Sequence, residues 1–205
     1  MSREVYQRIS VIEAAKRRIS EAFDSLERLY ISFSGGKDST VMMHLVCQEA
    51  RKRGRKVGVL IIDLEAQYTA TIDHIEAMID EYKDCIDLHW FCGQLLLRNA
   101  VSDYEPKWVC WDEEKKDIWV REKPALEADL SQYDFYVPRM EFEELMVIFG
   151  SWYAKGQTCG AFIGIRSDES LHRYRAIVSQ KNGLMLNGWK WTTRIAADVY
   201  NKPRS

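Results

Sequence analysis

Two patterns of apolar residues alternate along the chain and together predict an α/β fold. Short continuous apolar runs predict buried strands at residues 29–33, 57–62, 86–92 and 159–165. Before and between these runs, apolar residues recur every three or four positions and predict amphipathic helices at residues 5–26, 41–53, 71–82 and 141–153. Strands that alternate with helices in this way are typical of an open, Rossmann-like parallel sheet with helices on both faces.

Residues 93–138 follow neither pattern. They contain Trp108, Trp111 and Trp119 together with a charged cluster at residues 112–117. Long irregular stretches inside a compact domain are usually functional insertions or lids, and we predict one here. The tryptophans either pack a small subdomain, which we favour, or stack on a base or a partner.

Composition narrows the class of protein. With 205 residues and 46% apolar content, one compact domain over residues 1–205 is the simplest expectation. The 29 basic and 31 acidic residues nearly cancel, which gives no reason to expect nucleic acid or an anionic membrane as a partner. Direct DNA binding would require the basic triplets at residues 16–18 and 51–53 to form one face; we expect both to be ordinary solvated charges. The chain has no run of 18 apolar residues and no signal-peptide core, so a cytoplasmic protein is expected.

The five cysteines are odd in number and form no C-x-x-C pair. They are Cys47, Cys85, Cys92, Cys110 and Cys159. This pattern argues against a disulfide framework, a structural zinc site and an iron–sulfur cluster, and we expect the thiols to be buried. His89 stands alone in an apolar run and is expected to be structural.

A polar loop at residues 34–40 carries the first chemical signal. It reads Ser-Gly-Gly-Lys-Asp-Ser-Thr, follows the first predicted strand and precedes a predicted helix. Gly35 and Gly36 can adopt positive φ and let backbone N–H groups approach a phosphate, and the helix N-terminus adds partial positive charge. A P-loop NTPase needs four residues between its first glycine and its Gly-Lys pair, so this loop is too short to be one. The loop predicts a phosphate site of another kind.

Every residue of this loop has an expected role. The candidate phosphate-binding residues are Ser34, Gly35, Gly36, Lys37, Asp38, Ser39 and Thr40. The hydroxyl groups would donate hydrogen bonds, and Lys37 would supply a full positive charge and act in catalysis. Asp38 is unfavourable beside a phosphate unless it holds a divalent cation or caps the helix. Asp38 and Ser39 are both candidates for that cap.

A second motif follows the last predicted strand. Residues 164–175 read Gly-Ile-Arg-Ser-Asp-Glu-Ser-Leu-His-Arg-Tyr-Arg. Arg166 can bind phosphate or sulfate oxygens, and Arg173 lies about two helical turns further along the same face. The alternative is a surface ladder of ion pairs that includes Asp168, Glu169 and Arg173. Together with the loop, anion binding by the two arginines is the favoured interpretation.

Both motifs resemble one known family. Residues 34–39 resemble the PP-loop of the adenine-nucleotide α-hydrolase superfamily, which includes the ATP pyrophosphatases and the phosphoadenosine phosphosulfate (PAPS) reductases. The second motif is similar to the second signature of the PAPS reductases: Gly-Ile-Arg, two residues, Glu-Ser, two residues, Arg. The resemblance implies an open parallel sheet that binds an adenine nucleotide, ATP or PAPS, and a function in sulfur metabolism. It also implies that Arg166 and Arg173 bind the anionic end of the nucleotide, with Arg166 catalytic. ATP-using members cleave between the α- and β-phosphates, and Asp38 would then hold Mg²⁺.

Asp63 and Glu65 follow the second predicted strand. Ligands of open α/β sheets lie over the carboxyl ends of the strands, so both carboxylates are expected to face the crevice of the loop as candidates for nucleoside binding. The alternative, that both carboxylates cap the next helix, is equally open. PAPS reductases have Asp-Thr-Gly, two residues and Phe-Pro-Glu-Thr in this region, of which the chain keeps only Asp63, the aromatic Tyr68 and Thr71.

Other features of the resemblance bear on activity. The Tyr68 region, the tryptophan-rich middle and the second motif most resemble a prophage-associated branch that includes the immunoglobulin-binding regulator A proteins. The C-terminal Glu-Cys-Gly cysteine, the nucleophile of PAPS reductases, is absent, so we expect a minimal or shortened nucleotide-binding core. Two functions stay open: an enzyme that takes any required thiol from elsewhere, and a non-catalytic nucleotide-sensing module that works with a partner protein. The oligomeric state is also open.

Overall fold

A computed structural model describes residues 9–164, Leu171 and the backbone of Ile195–Ala196. The helices are α1 (Val11–Ser25), α2 (Lys37–Lys52), α3 (Thr69–Tyr82) and α4 (Phe142–Ala154). The strands are β1 (Arg28–Ser32), β2 (Val57–Ile62), β3 (Ile86–Phe91), β4 (Leu95–Arg98), β5 (Lys107–Cys110), β6 (Met140–Glu141), β7 (Thr158–Ile163) and β8 (Ile195–Ala196). None of the helices in this part of the chain is long and apolar enough to cross a membrane.

A five-stranded sheet forms the centre of the fold. Its strand order is β3-β2-β1-β7-β8, with the first four strands parallel and β8 antiparallel to β7. In the central strand β1, Ile31 pairs with Val59 of β2 and Phe162 of β7. This arrangement confirms the predicted α/β sheet, to which β8 adds an antiparallel edge strand.

The helices cover both faces of this sheet. Tyr30 points from β1 toward α4, where its ring packs edge-on against Phe149 and Tyr153 at 5.2 and 5.6 Å between centroids. Leu29 and Ile31 point to the opposite face because side chains alternate along a strand, and both are buried as well. Burial on both faces explains why the strand sequences are continuously apolar rather than alternating.

Helix α1 begins at Val11, later than the predicted start near residue 5. Ser10 caps it, because its side-chain oxygen accepts a hydrogen bond from the Glu13 backbone N–H at 3.1 Å. Serine followed three residues later by glutamate is a common signature of a helix N-terminus. The helical spacing of apolar residues continues in the sequence before the capping residue Ser10, and this is why the prediction began the helix too early.

The two basic triplets differ in their surroundings. Residues 16–18 are exposed, as expected of a solvated face. At the end of α2, Arg51 pairs with Asp84 at 2.6 Å, and Arg53 pairs with Asp24 and Glu49 at 2.5 Å each. Much of the positive charge at residues 51–53 is therefore matched by neighbouring carboxylates.

Residues 93–138 contain secondary structure that the sequence pattern did not predict. Strands β4 and β5 of this segment form a small second sheet together with β6, which lies just after it; β4 is antiparallel to β5 and parallel to β6. Two short 3-10 helices follow β5, at Glu113–Ile118 and Leu130–Gln132. Strands of two to four residues are too short to show a regular period, which explains why the pattern missed them. Whether the segment serves as an insertion or as a lid stays a prediction.

Trp111 lies in the buried interior of residues 93–138. Its side chain is fully buried, and its ring meets Trp119 edge-on at 5.1 Å. Trp108 and Trp119 are half-buried and pack against the hydrophobic core. The favoured interpretation, that the tryptophans pack a small structural unit, is confirmed for these three side chains.

Candidate functional site

Residues 34–40 form the turn from β1 into α2, and Gly36 is the N-cap of the helix. Gly35 has a φ of +72°, a region that favours glycine, and Gly36 is extended at φ −77° and ψ 160°. Gly36 has no side chain to cap the helix, and no side-chain cap bond is formed. The prediction that Asp38 or Ser39 caps α2 is therefore wrong; both lie within its first turn. Since no side chain among the described residues forms a cap bond, the first backbone N–H groups of this 16-residue helix are not taken up by a cap.

Helix α3 forms the floor of the loop. A Cβ atom added to Gly35 would lie 2.9 Å from Ile75 Cγ1 and 3.0 Å from Thr71 Cγ2. Such distances are too short for a real side chain, so this position requires glycine for space as well as for its positive φ. The loop is thus pressed against a rigid helix.

The hydroxyl groups of the loop bond to one another and to the helix. Ser39 Oγ and Thr40 Oγ1 each donate to the Gly36 carbonyl oxygen at 2.9 Å. Ser34 Oγ lies 3.1 Å from Ser39 Oγ, and His74 Nε2 of α3 lies 2.8 Å from Thr40 Oγ1. The hydroxyls therefore form one hydrogen-bonded network within the protein, and His74, which sequence reasoning did not select, is part of it.

Lys37 and Asp38 form an ion pair at the mouth of the loop. Lys37 Nζ lies 2.9 Å from Asp38 Oδ2, and the lysine side chain is 74% exposed. Exposed ion pairs are worth about 0–1 kcal/mol, so little free energy opposes a swing of the lysine onto an anion.

Gly164, at the end of β7, lies directly on the first turn of α2. A Cβ atom at this position would be 2.8 Å from the Ser39 backbone N and 3.0 Å from the Asp38 carbonyl carbon. The first residue of the second motif thus contacts helix α2, as expected if the two motifs serve one site. Arg166 and Arg173 lie outside the described residues.

Asp63 is fully buried at the end of β2 and has three donors. Its Oδ1 accepts the Glu65 backbone N–H at 2.9 Å and a short bond from Arg121 Nη2, and its Oδ2 accepts Trp90 Nε1 at 3.0 Å. Its backbone oxygen accepts Trp111 Nε1 at 2.9 Å. These contacts tie the end of β2 to residues 111–121. A role in nucleoside binding stays a prediction.

Glu65 makes a second connection to the same segment. Its Oε2 accepts the Trp111 backbone N–H at 2.7 Å, and its Oε1 accepts the Val120 backbone N–H at 3.2 Å. The residue is buried and has a φ of +67°, so a non-glycine residue here is strained. The alternative that Asp63 and Glu65 cap α3 is wrong, because Tyr68 is the N-cap and forms no side-chain cap bond.

His89 confirms its expected structural role. It is buried, its Nδ1 lies 3.0 Å from the Tyr133 hydroxyl, and its ring meets Phe149, Trp152 and Tyr153 edge-on. Burial lowers its pKa below the ordinary value. A neutral imidazole in an aromatic cluster is a packing group.

Asp38 can serve as one ligand of a magnesium ion. Within residues 9–164, no group of three or more His, Cys, Asp and Glu side chains is placed to hold a metal ion. Mg²⁺ is often bound by one or two carboxylates together with substrate phosphates. Asp38 is the one carboxylate of the loop, so it fits that arrangement beside a bound nucleotide.

All five cysteines are free and buried, as predicted. Burial raises the pKa of every one of these thiols, to about 11 for Cys110 and about 12 for Cys159. Cys47 lies in α2 and Cys159 in β7, as expected, whereas Cys85 lies in the turn before β3. None of the five is a thiolate nucleophile at neutral pH in this fold.

We therefore expect the native protein to react very slowly with dithionitrobenzoate at pH 7.5. Burial blocks the reagent, and the raised thiol pKa removes the reactive thiolate. The released chromophore, followed by absorbance, should approach five equivalents only after denaturation in guanidinium chloride. Rapid reaction of one equivalent in native buffer would show that a thiol is accessible.

Comparisons with known proteins cover both motifs. The model of the phosphoadenosine phosphosulfate reductase domain matches residues 28–191. A protein of Escherichia coli (strain K12), described as uncharacterized protein YbdN, is 37% identical over 187 residues, which is 90% of this chain and 46% of that relative. The chain thus spans less than half the length of this relative. Because the family match runs over most of the chain, from β1 through the loop to beyond the second motif, the chain belongs to the phosphoadenosine phosphosulfate reductase domain family.

Proposed function

We propose that the chain binds an adenine nucleotide with its phosphates at residues 34–40, and that it acts on ATP or on a sulfonucleotide such as PAPS. The observation that carries the proposal is the turn itself: a left-handed Gly35 and a Gly36 cap leave the N-terminus of α2 without a side-chain cap. Such a helix N-terminus attracts anions through its N–H groups and its dipole. Family membership supplies the adenine nucleotide as the expected anion.

The residues around the turn have complementary proposed roles. Lys37 would leave its exposed pair with Asp38 and neutralise phosphate charge. Asp38 would be a protein ligand of a nucleotide-bound Mg²⁺. Arg166 and Arg173 would bind the far end of the anion; Gly164, two residues before Arg166, supports this because it packs on Ser39.

Two reactions are compatible with this site. With ATP, a nucleophile attacks the α-phosphorus, the α–β bond breaks and pyrophosphate leaves with its charge stabilised by the loop and Arg166. With a sulfonucleotide, a thiol from another molecule or another part of a longer protein attacks the sulfur, because the five thiols of this chain are buried. The nucleotide leaves with the electrons of the broken sulfur–oxygen bond.

A non-catalytic nucleotide sensor that works with a partner protein is the second candidate. The burial of every cysteine favours it, because a bound sulfonucleotide then has no attacking thiol within this chain. We further propose that the chain is related to the prophage-associated branch that includes the immunoglobulin-binding regulator A proteins, and this relationship would fit a regulatory role. Turnover separates the two functions, since a sensor binds the nucleotide and leaves it unchanged.

The first test compares two lysine variants at opposite ends of α2. Lys37→Ala should weaken binding of ATP or PAPS at least about tenfold, because a charge-assisted bond to phosphate is lost. Lys52→Ala removes the same charge from the last turn, where it pairs with Glu49 at 3.5 Å, and should leave affinity within about twofold. Titration calorimetry with ATP, PAPS and adenosine bisphosphate, each with Mg²⁺, measures both variants.

A pyrophosphate-release assay on the same proteins then separates the candidates. Release from ATP that Lys37→Ala abolishes would establish the pyrophosphatase activity. Binding without conversion, in the presence and absence of an added thiol, would favour the sensor. Equal affinity of Lys37→Ala and wild type would contradict the assignment of the loop.

A further inference from the structure

His74 of helix α3 contacts the proposed phosphate loop, residues 34–40. His74 Nε2, on α3, lies 2.8 Å from Thr40 Oγ1 at the end of the loop. The same imidazole ring lies 6.4 Å, centroid to centroid, from the ring of Phe33, the residue that precedes the loop. His74 therefore contacts both flanks of residues 34–40 and is well placed to set the geometry of the loop.

The Thr40 hydroxyl is bonded on both sides within the protein. It lies 2.8 Å from His74 Nε2 and 2.9 Å from the Gly36 carbonyl oxygen. A hydroxyl has one proton to donate, and both of its hydrogen-bond partners here, the imidazole and the carbonyl oxygen, belong to the protein itself. The sequence predicted phosphate binding by Thr40, whereas the geometry gives its side chain an internal role.

The Gly36 carbonyl oxygen has more donors than it can accept. The Thr40 backbone N–H, the Thr40 hydroxyl and the Ser39 hydroxyl all lie at 2.9 Å from it. A carbonyl oxygen has two lone pairs, and the backbone N–H of the helix takes one of them. The hydroxyls of Ser39 and Thr40 therefore compete for the other. When Ser39 loses, its proton turns to Ser34 Oγ at 3.1 Å, and the proton of the exposed Ser34 hydroxyl is directed to a ligand.

We propose that His74 is a positioning residue that decides this competition. A proton on Nε2 is donated to Thr40 Oγ1, which turns the Thr40 proton onto the Gly36 carbonyl oxygen. Both lone pairs of that oxygen are then occupied, so the buried Ser39 hydroxyl donates to Ser34 Oγ, and the exposed Ser34 hydroxyl donates to a bound phosphate. The inference rests on the proposed function and deepens it: His74 never touches the ligand and acts only through Thr40.

The test measures the affinity for inorganic pyrophosphate by calorimetry. His74→Leu should weaken binding about fivefold, because the Thr40 hydroxyl is no longer held and Ser39 is drawn onto Gly36. His74→Gln should stay within about twofold of wild type, since its amide N–H can occupy the place of Nε2–H. Thr40→Val should match His74→Leu, and the double variant should be no weaker than either single variant.

A direct readout accompanies the affinities. The ¹⁵N chemical shifts of His74 in the wild type should show a protonated Nε2, and the signal should stay so when pyrophosphate is added. A bare Nε2, additive losses in the double variant, or a Gln variant as weak as Leu would overturn the inference. In each of those cases the wild type still binds pyrophosphate, so the proposed function survives. Absence of pyrophosphate binding by the folded wild type would also overturn the inference, whereas the proposed function falls only if ATP, PAPS and adenosine bisphosphate fail to bind as well.

Discussion

Replacing Asp63 with alanine is expected to lower the free energy of unfolding by about 3–5 kcal/mol. The carboxylate is fully buried and accepts bonds from Arg121, Trp90 and the Glu65 backbone. The side chain of Arg121 is only 17% exposed, and its Nε has no hydrogen-bond partner among the residues that the structure describes. Without Asp63, a nearly buried guanidinium is left without its counter-charge, which is among the most unfavourable changes a core can undergo. Urea or guanidinium unfolding, followed by tryptophan fluorescence, measures the effect.

The control for this prediction is Asp80→Ala on helix α3. Asp80 pairs with Lys83 at 2.8 Å, but both side chains are more than 70% exposed, so the loss should stay within about 0.5 kcal/mol. A further variant isolates the charge: adding Arg121→Met to Asp63→Ala removes the unpaired guanidinium and should recover part of the stability. A loss for Asp63→Ala no larger than for Asp80→Ala would show that the buried pair contributes nothing net.

Replacing Gly164 with alanine is expected to weaken nucleotide binding about a hundredfold. The new Cβ would lie 2.8, 2.9 and 3.0 Å from the backbone atoms Ser39 N, Ser39 Cα and Asp38 C. A backbone cannot yield as a flexible side chain does, so the first turn of α2 must shift. Loss of one hydrogen bond to a charged phosphate costs about 1.5–3 kcal/mol, the upper end of which corresponds to this factor. Overpacking of this kind should also lower stability by about 1–3 kcal/mol. Calorimetry and chemical unfolding measure the two effects separately.

Gly54→Ala is the matched control, because Gly54 follows the other end of α2. It has a φ of +59° and nothing within 4 Å of an added Cβ. Alanine there is strained by about 1–2 kcal/mol, yet it should leave nucleotide affinity unchanged. If both glycine variants lose affinity alike, general destabilisation rather than displacement of the first turn is responsible.

The sheet and the loop were predictable because their signals are local. The four parallel strands are continuous apolar runs, and residues 34–40 place two glycines between a strand and a helix, where backbone geometry alone suggests an anion site. Helix α3 was also placed correctly, with Tyr82 as its last residue in both the prediction and the structure. In each case the residues that determine the structure lie close together in the sequence, in the same element or in neighbouring elements.

The remaining features depend on partners that are distant in the sequence. The bond between Asp63 and Arg121 spans 58 residues, and the bond between Glu65 and Val120 spans 55. Nothing near Arg121 indicates a carboxylate partner, and an acidic pair after a strand is equally compatible with a ligand site or a helix cap. His74 is one histidine among charged helix residues, and only the packing of α3 under the loop gives it a role. A glycine cap carries no side chain, so side-chain capping rules selected Asp38 and Ser39 instead.

Glu65 also has a consequence for how this chain diverged. It stands where the PAPS reductase pattern has the glycine of Asp-Thr-Gly, and it keeps a positive φ that glycine adopts without strain. The hydrogen bonds that its carboxylate accepts from the backbone N–H groups of Trp111 and Val120 help to offset that strain. Glutamate at this position and the tryptophan-rich segment are therefore expected to be epistatic: each is tolerated in evolution because the other is present. Homologues without the segment should carry glycine at this position, and those that keep the glutamate should keep the segment.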